Sequence, residues 1–95
     1  MLRQTKNKNY LKSFYLKPGF IMGVKYIGDY YSISIRRKDG KFFRFHRIAY
    51  TKHDNELFYM KVSHTEVLEL MESDKFKLIM NELVDFIHFD EIMSQ

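Results

Sequence analysis

The sequence predicts an α+β domain: a four-stranded antiparallel β-meander over residues 20–62, then one broken or two C-terminal α-helices packed on one sheet face. Three observations carry this. Turn signals at Gly28-Asp29 and Lys38-Asp39-Gly40 separate runs rich in β-branched and aromatic residues. The apolar period changes from two to about 3.6 after Ser63. Two registers, each set by its own turn, bring apolar residues onto one common face.

Residues 1–19 form a basic N-terminal arm with Arg3, Lys6, Lys8 and Lys12. Tyr10, Leu11, Phe14 and Tyr15 have helical spacing, and a strand fits as well. The arm is expected either to touch phosphates or to fray. Pro18-Gly19 ends it. Phe20 to Ile27 reads as the first strand. With Ile27 facing Tyr30 across Gly28-Asp29, Tyr26 meets Tyr31, Val24 meets Ile33 and Met22 meets Ile35.

The stretch Tyr30 to Tyr50 reads as a hairpin around Lys38-Asp39-Gly40, because Gly40 accepts φ > 0. A three-residue loop pairs Arg37 with Lys41, Arg36 with Phe42, Ile35 with Phe43, Ser34 with Arg44, Ile33 with Phe45 and Ser32 with His46. A two-residue loop would set Ile35 opposite Arg44 and mix the faces, so the pattern selects the longer loop with a Gly bulge. Thr51 to Glu56 is a polar loop, and Leu57 to Val62 a fourth strand.

Ser63-His64-Thr65-Glu66 has the form of a capping box. Val67, Leu68, Leu70 and Met71 follow at helical spacing. Ser73-Asp74 either interrupts this helix or caps a second one. Phe76, Ile79, Met80, Leu83, Val84, Phe86 and Ile87 then cover a broad apolar arc. The arc is wide for one helix on one small sheet face. Its excess points to a homodimer through Phe76, Ile79, Met80, Leu83, Phe86 and Ile87.

Ninety-five residues make a single domain, 1–95, and 45% hydrophobic content suffices for a core. There is no Cys, which excludes disulfides and thiolate metal sites. No apolar run approaches the roughly 20 residues of a membrane span. The expectation is a soluble intracellular protein, cytoplasmic or nuclear, with no membrane contact. The net charge of +4 hides an asymmetry. Residues 1–63 hold 14 Lys and Arg against 4 Asp and Glu, and residues 64–95 hold 2 against 8. A basic surface for an anionic partner fits this pattern, as does ordinary solvated charge.

With one side of the sheet buried, the other is expected to hold Lys25, Tyr30, Ser32, Ser34, Arg36, Phe42, Arg44, His46, Ile48, Tyr50, Tyr59 and Lys61. Aromatic rings among cations suit single-stranded nucleic acid, whose unstacked bases lie on rings while cations follow the phosphates. The stacking set is Tyr30, Phe42, Tyr50 and Tyr59. The phosphate set is Lys25, Arg36, Arg44, His46 and Lys61, extended at the hairpin tip by Arg37, Lys38 and Lys41. The opposing reading is that Tyr, Arg and Lys are common on exposed strands, with Phe42 and Ile48 in a second small core under the arm.

The order of parts resembles the positive cofactor four family of single-stranded-DNA-binding proteins, with the Whirly proteins as more distant relations. Two stretches are similar to that family. One is Ile33-Ser34-Ile35-Arg36, with alternating apolar residues ending on a basic one. The other is Met60-Lys61-Val62-Ser63 leading into Thr65-Glu66-Val67-Leu68-Glu69-Leu70, a strand passing through a cap into a helix. The resemblance covers roughly residues 20–73. Val67 stands where some members have Trp, and the tail after Ser73 is long. The resemblance implies a homodimer packed through its helices, DNA gripped by the sheets, and a basic role for Arg36 and Lys61.

Enzymatic motifs are absent from the sequence. His46, His53, His64 and His88 include no i, i+4 pair, so no metal site is expected. There is no Gly-rich phosphate loop, and Glu66, Glu69 and Glu72 read as a solvated stripe. The expectation is a protein with no catalytic residues and no cofactor, which binds single-stranded nucleic acid, DNA before RNA, as a transcription or replication accessory. The other class that fits is a small protein-interaction module, an inhibitor or adaptor of a host or partner protein. It would act through the apolar and acidic C-terminal helices. The Lys-, Asn- and Ile-rich composition suits a low-GC, viral source.

Overall fold

The computed structural model describes residues 2–28, 30–37, 42–51, 57–60 and 65–93; across 42–51 and 57–60 it describes the course and pairing of the backbone. Five strands, β1 (Lys12–Lys17), β2 (Phe20–Ile27), β3 (Tyr30–Arg37), β4 (Phe42–Thr51) and β5 (Leu57–Met60), form one antiparallel sheet in sequence order. Helices α1 (Thr65–Met71) and α2 (Asp74–Met93) follow. The fold is α+β with two C-terminal helices, as expected, but the four-stranded meander is corrected. A strand forms inside the residues read as an arm, and β1, β2 and β3 carry the packing below.

Pro18-Gly19 is the reason β1 exists. Lys17 pairs with Phe20, so these two residues are the whole turn. Pro sets φ for the first central position, and Gly19 takes φ 87 at the second, as a type II turn requires. The chain therefore folds straight back, and Phe14 and Leu16 fall on the apolar side of β2.

The β2–β3 register matches the expected one throughout, including Ile27 opposite Tyr30, Val24 opposite Ile33 and Met22 opposite Ile35. The β3–β4 register agrees only near the hairpin tip, where Arg36 meets Phe42 and Ile35 meets Phe43. An irregularity between Ile33 and Ile35 then shifts the pairing, so Ile33 meets Ile48, Ser32 meets Ala49 and Tyr31 meets Tyr50. The expected pairs Ile33–Phe45 and Ser32–His46 are replaced, and Ser34, expected opposite Arg44, falls at the irregularity. Single-residue alternation cannot reveal a bulge that inserts residues in mid-strand. The hairpin tip (Lys38 to Lys41), the loop with His53 and Asp54, and the capping box at Ser63-His64 lie outside the described residues.

The core lies between the sheet and the helices. Met22, Val24, Ile33, Ile35, Val67, Ile79, Leu83 and Ile87 are almost wholly buried there, joined by Phe14, Leu16, Phe20, Leu70 and Phe76. Burying each such side chain contributes roughly 1.5–3 kcal/mol. Met80, Val84 and Phe86 pack partly against the cluster. Of the residues expected at a dimer interface, Phe76, Ile79, Leu83 and Ile87 are buried inside one chain, with Met80 and Phe86 at their flank. The broad arc of α2 has enough sheet to cover because β1 widens it, and α2 packs mainly on β1.

Ser73 divides the two helices. Its hydroxyl donates to the Leu70 carbonyl (2.8 Å) and accepts from the Phe76 amide (3.1 Å), which caps α2. Farther along α2, the Tyr31 hydroxyl donates to Asp90 Oδ2. Burial first, then this bond and the charges of Asp90 and Glu91, raise the Tyr31 phenol above its ordinary value. A raised phenol stabilises the fold while neutral, so its contribution is whole below pH ~10 and falls as pH rises beyond. Wild type is thus expected to lose stability above pH ~10, with a shallower loss in Tyr31→Phe. Denaturant melts across alkaline pH check this, and identical slopes would contradict it.

Candidate nucleic-acid interface

Strand alternation leaves a second row facing away from the helices. It holds Ser13 and Tyr15 of β1, Ile21, Gly23 and Lys25 of β2, and Tyr30, Ser32, Ser34 and Arg36 of β3. Its middle is not open. The Arg3 carbonyl accepts from the Tyr15 amide (2.8 Å), and the Thr5 amide donates to the Ser13 carbonyl (2.9 Å), so residues 3–5 pair along β1. Asn7 turns the chain, its Oδ1 accepting from the Asn9 amide (2.9 Å). This brings Tyr10 back across the sheet.

The Tyr10 ring lies on Gly23, where a Cβ would come within 2.5 Å of ring carbon Cγ. The Tyr10 hydroxyl and Ser34 Oγ are 3.4 Å apart. Thr5 Oγ1 and Ser13 Oγ share a buried hydrogen bond. Thr5, Tyr10, Ser13, Ser32 and Ser34 are all buried. The outcome is a small polar seam under the arm. Burial raises the Tyr10 phenol, and the Ser34 hydrogen bond and Arg36 charge act against that rise.

Half-buried residues remain at the ends of this row. Lys25 and Tyr30 sit beside the β2–β3 turn, and Arg36 sits near the far end of β3. At about 3.3 Å per residue, Arg36 is roughly 20 Å along the strand from Tyr30. Lys6 and Lys8 of the arm are exposed.

Arg37 belongs to the opposite side from Arg36. Its guanidinium lies over the Phe20 ring (5.8 Å) and pairs with Glu66 (3.5 Å), joining β3 to α1. It does not extend a track on the Lys25 row. Phe42 is the register partner of Arg36, Tyr50 of Tyr31 and Tyr59 of Ile48. The register thus sets Tyr50 and Tyr59 against residues of the helix-covered row. Arg44 and His46 lie in β4, within the shifted stretch. Lys38, Lys41 and Lys61 lie outside the described residues.

Expected site residues are therefore brought together in part: Lys25 with Tyr30, and Arg36 with Phe42 across the ladder. The sequence reading missed the basic cleft that Arg3, Lys17 and Lys75 line with Tyr15. The Pro-Gly turn was its available signal, because it fixes Lys17 at a strand end.

No family model, curated protein or solved structure matches this chain. Among the described residues, no three His, Cys, Asp or Glu side chains are grouped to hold a metal ion. No described helix is long and apolar enough to cross a membrane.

Proposed function

We propose that this chain is a non-enzymatic binder of single-stranded nucleic acid, DNA in preference to RNA. The observation that carries the reading is the row of Lys25, Tyr30 and Arg36 on the sheet side away from the helices. The Tyr30 ring offers a base a stacking surface, and each stacked base contributes ~1–3 kcal/mol. Lys25 and Arg36 meet phosphates on either side of the Tyr10 roof. The same phosphate-binding role is proposed, from the sequence, for Arg44, His46, Lys38, Lys41 and Lys61. Stacking of this kind selects single strands, since duplex bases already stack on one another. The resemblance of Ile33-Ser34-Ile35-Arg36 to the positive cofactor four family supports the same role for Arg36.

The test is Arg36→Ala/Arg44→Ala, titrated with a labelled oligonucleotide at several salt concentrations. Losing two phosphate contacts is expected to weaken binding and to reduce the salt slope by about 1.4, at about 0.7 per contact. Equal affinity and slope in both proteins would reject the reading.

One observation favours a second reading, a protein-interaction module. Leu78, Phe89, Ile92 and Met93 are exposed along α2 on the side away from the core, with Glu82 and Asp85 among them. A second copy of the chain, if it docks, would meet this stripe and not the buried arc. A stoichiometric partner that survives nuclease treatment would favour this class.

A further inference from the structure

At the end of the sheet, Arg3, Tyr15, Lys17, Pro18, Gly19 and Lys75 line a cleft of about 370 Å³. It is bounded by the arm, the β1–β2 turn and the first turn of α2. Among the described residues, no acidic side chain lines it. Arg3 stacks on the Tyr15 ring (5.2 Å) and Lys17 on the Phe20 ring (4.8 Å), which steers both stems without neutralising either charge. Lys75 arrives from a separate element, placed by the Ser73 cap. The three cations come from distant points in the sequence and line one cleft, so its field favours an anion. Gly19 has nothing within 4 Å of a Cβ position, so the turn backbone is open to a ligand.

We propose that this cleft binds a phosphate monoester. Such a group carries close to two negative charges and three acceptor oxygens, enough for one cation each. A cleft lined by Arg3, Lys17 and Lys75 suits it better than a phosphodiester, which carries one charge. The phosphate can come from the end of a nucleic-acid strand or from a free mononucleotide. The site does not depend on the Lys25–Tyr30–Arg36 row.

The experiment uses the full chain and a short oligothymidylate labelled at its 3′ end, with a 5′ phosphate or a 5′ hydroxyl. Adenosine monophosphate and inorganic phosphate serve as competitors. A strand-end site gives about fivefold or greater preference for the phosphorylated strand. A free-nucleotide site gives no strand preference but saturable binding of the mononucleotide by calorimetry. In either case Lys75→Ala and Arg3→Ala are expected to abolish the effect, while Lys77→Ala, outside the cleft, keeps it. Circular dichroism melts of each variant confirm folding. Absence of both effects in wild type overturns the proposal, as does their survival in folded Arg3→Ala/Lys75→Ala. Binding of 5′-hydroxyl strands alone would overturn the cleft and leave single-strand binding intact. Mononucleotide binding without any strand binding would do the reverse.

Discussion

Leu83→Ala is expected to destabilise the fold by about 2–5 kcal/mol, because the side chain is wholly buried and its removal leaves a cavity beneath α2. Leu78→Ala, five residues earlier in the same helix, is expected to change stability by less than about 0.5 kcal/mol, since Leu78 is 57% exposed. Denaturant melts of the two variants separate them. The Leu83→Ala loss should also be independent of protein concentration. A residue whose burial needed a second subunit would show a midpoint that moves with concentration. Similar effects at both positions, or concentration dependence at Leu83, would contradict the placement of the α2 arc in a monomer core.

Gly23→Ala is the second large effect, expected at about 1–3 kcal/mol. A Cβ here would lie 2.5 and 2.6 Å from two Tyr10 ring carbons and 2.9 Å from Ser13 Cβ. The atoms nearest it belong to the root of the ring, so Tyr10 must leave its seat. Its departure uncovers Ser34 and the hydroxyl pair of Thr5 and Ser13. In a Tyr10→Ala background most of the clash is gone. The double-mutant cycle is therefore expected to show coupling of about 1 kcal/mol or more. Additive losses would mean that Tyr10 does not roof the sheet at Gly23.

Much of the helix-facing core was legible in the sequence. Met22, Val24, Ile33 and Ile35 alternate cleanly, and Gly28-Asp29 leaves their strands only one register that buries all four. Ser73-Asp74 carried the helix break, since a serine hydroxyl competes for the backbone groups that a continuous helix would use. What could not be read there are long-range effects. Phe14 and Tyr15 suit a helix or a strand equally, and only their packing on β2 decides. The β3–β4 shift inserts residues within a run that alternates without a break. Tyr10 was ambiguous for a further reason: its partner is the absence of a side chain at Gly23.

The candidate site was legible to the same extent as its register. Lys25, Tyr30 and Arg36 belong to strands whose pairing was predicted correctly, and they share a row. Arg37 was placed by its position near the hairpin tip, but strand alternation turns it toward Phe20 and Glu66. Ser32 and Ser34 fall, by register, on the sheet side expected to face away from the core. Both are buried, and the arm brings the Tyr10 hydroxyl to Ser34, which lets that hydroxyl stay in a closed seam.

The most direct measurement is fluorescence anisotropy of the wild-type chain with single-stranded DNA, single-stranded RNA and duplex of equal length, from about 50 to 200 mM salt. Binding through rings and cations on one sheet row predicts tightest capture of single-stranded DNA, weaker capture of RNA, least of duplex, and affinity falling steeply with salt. Equal binding of duplex, or no binding of any strand at the lowest salt, would contradict it.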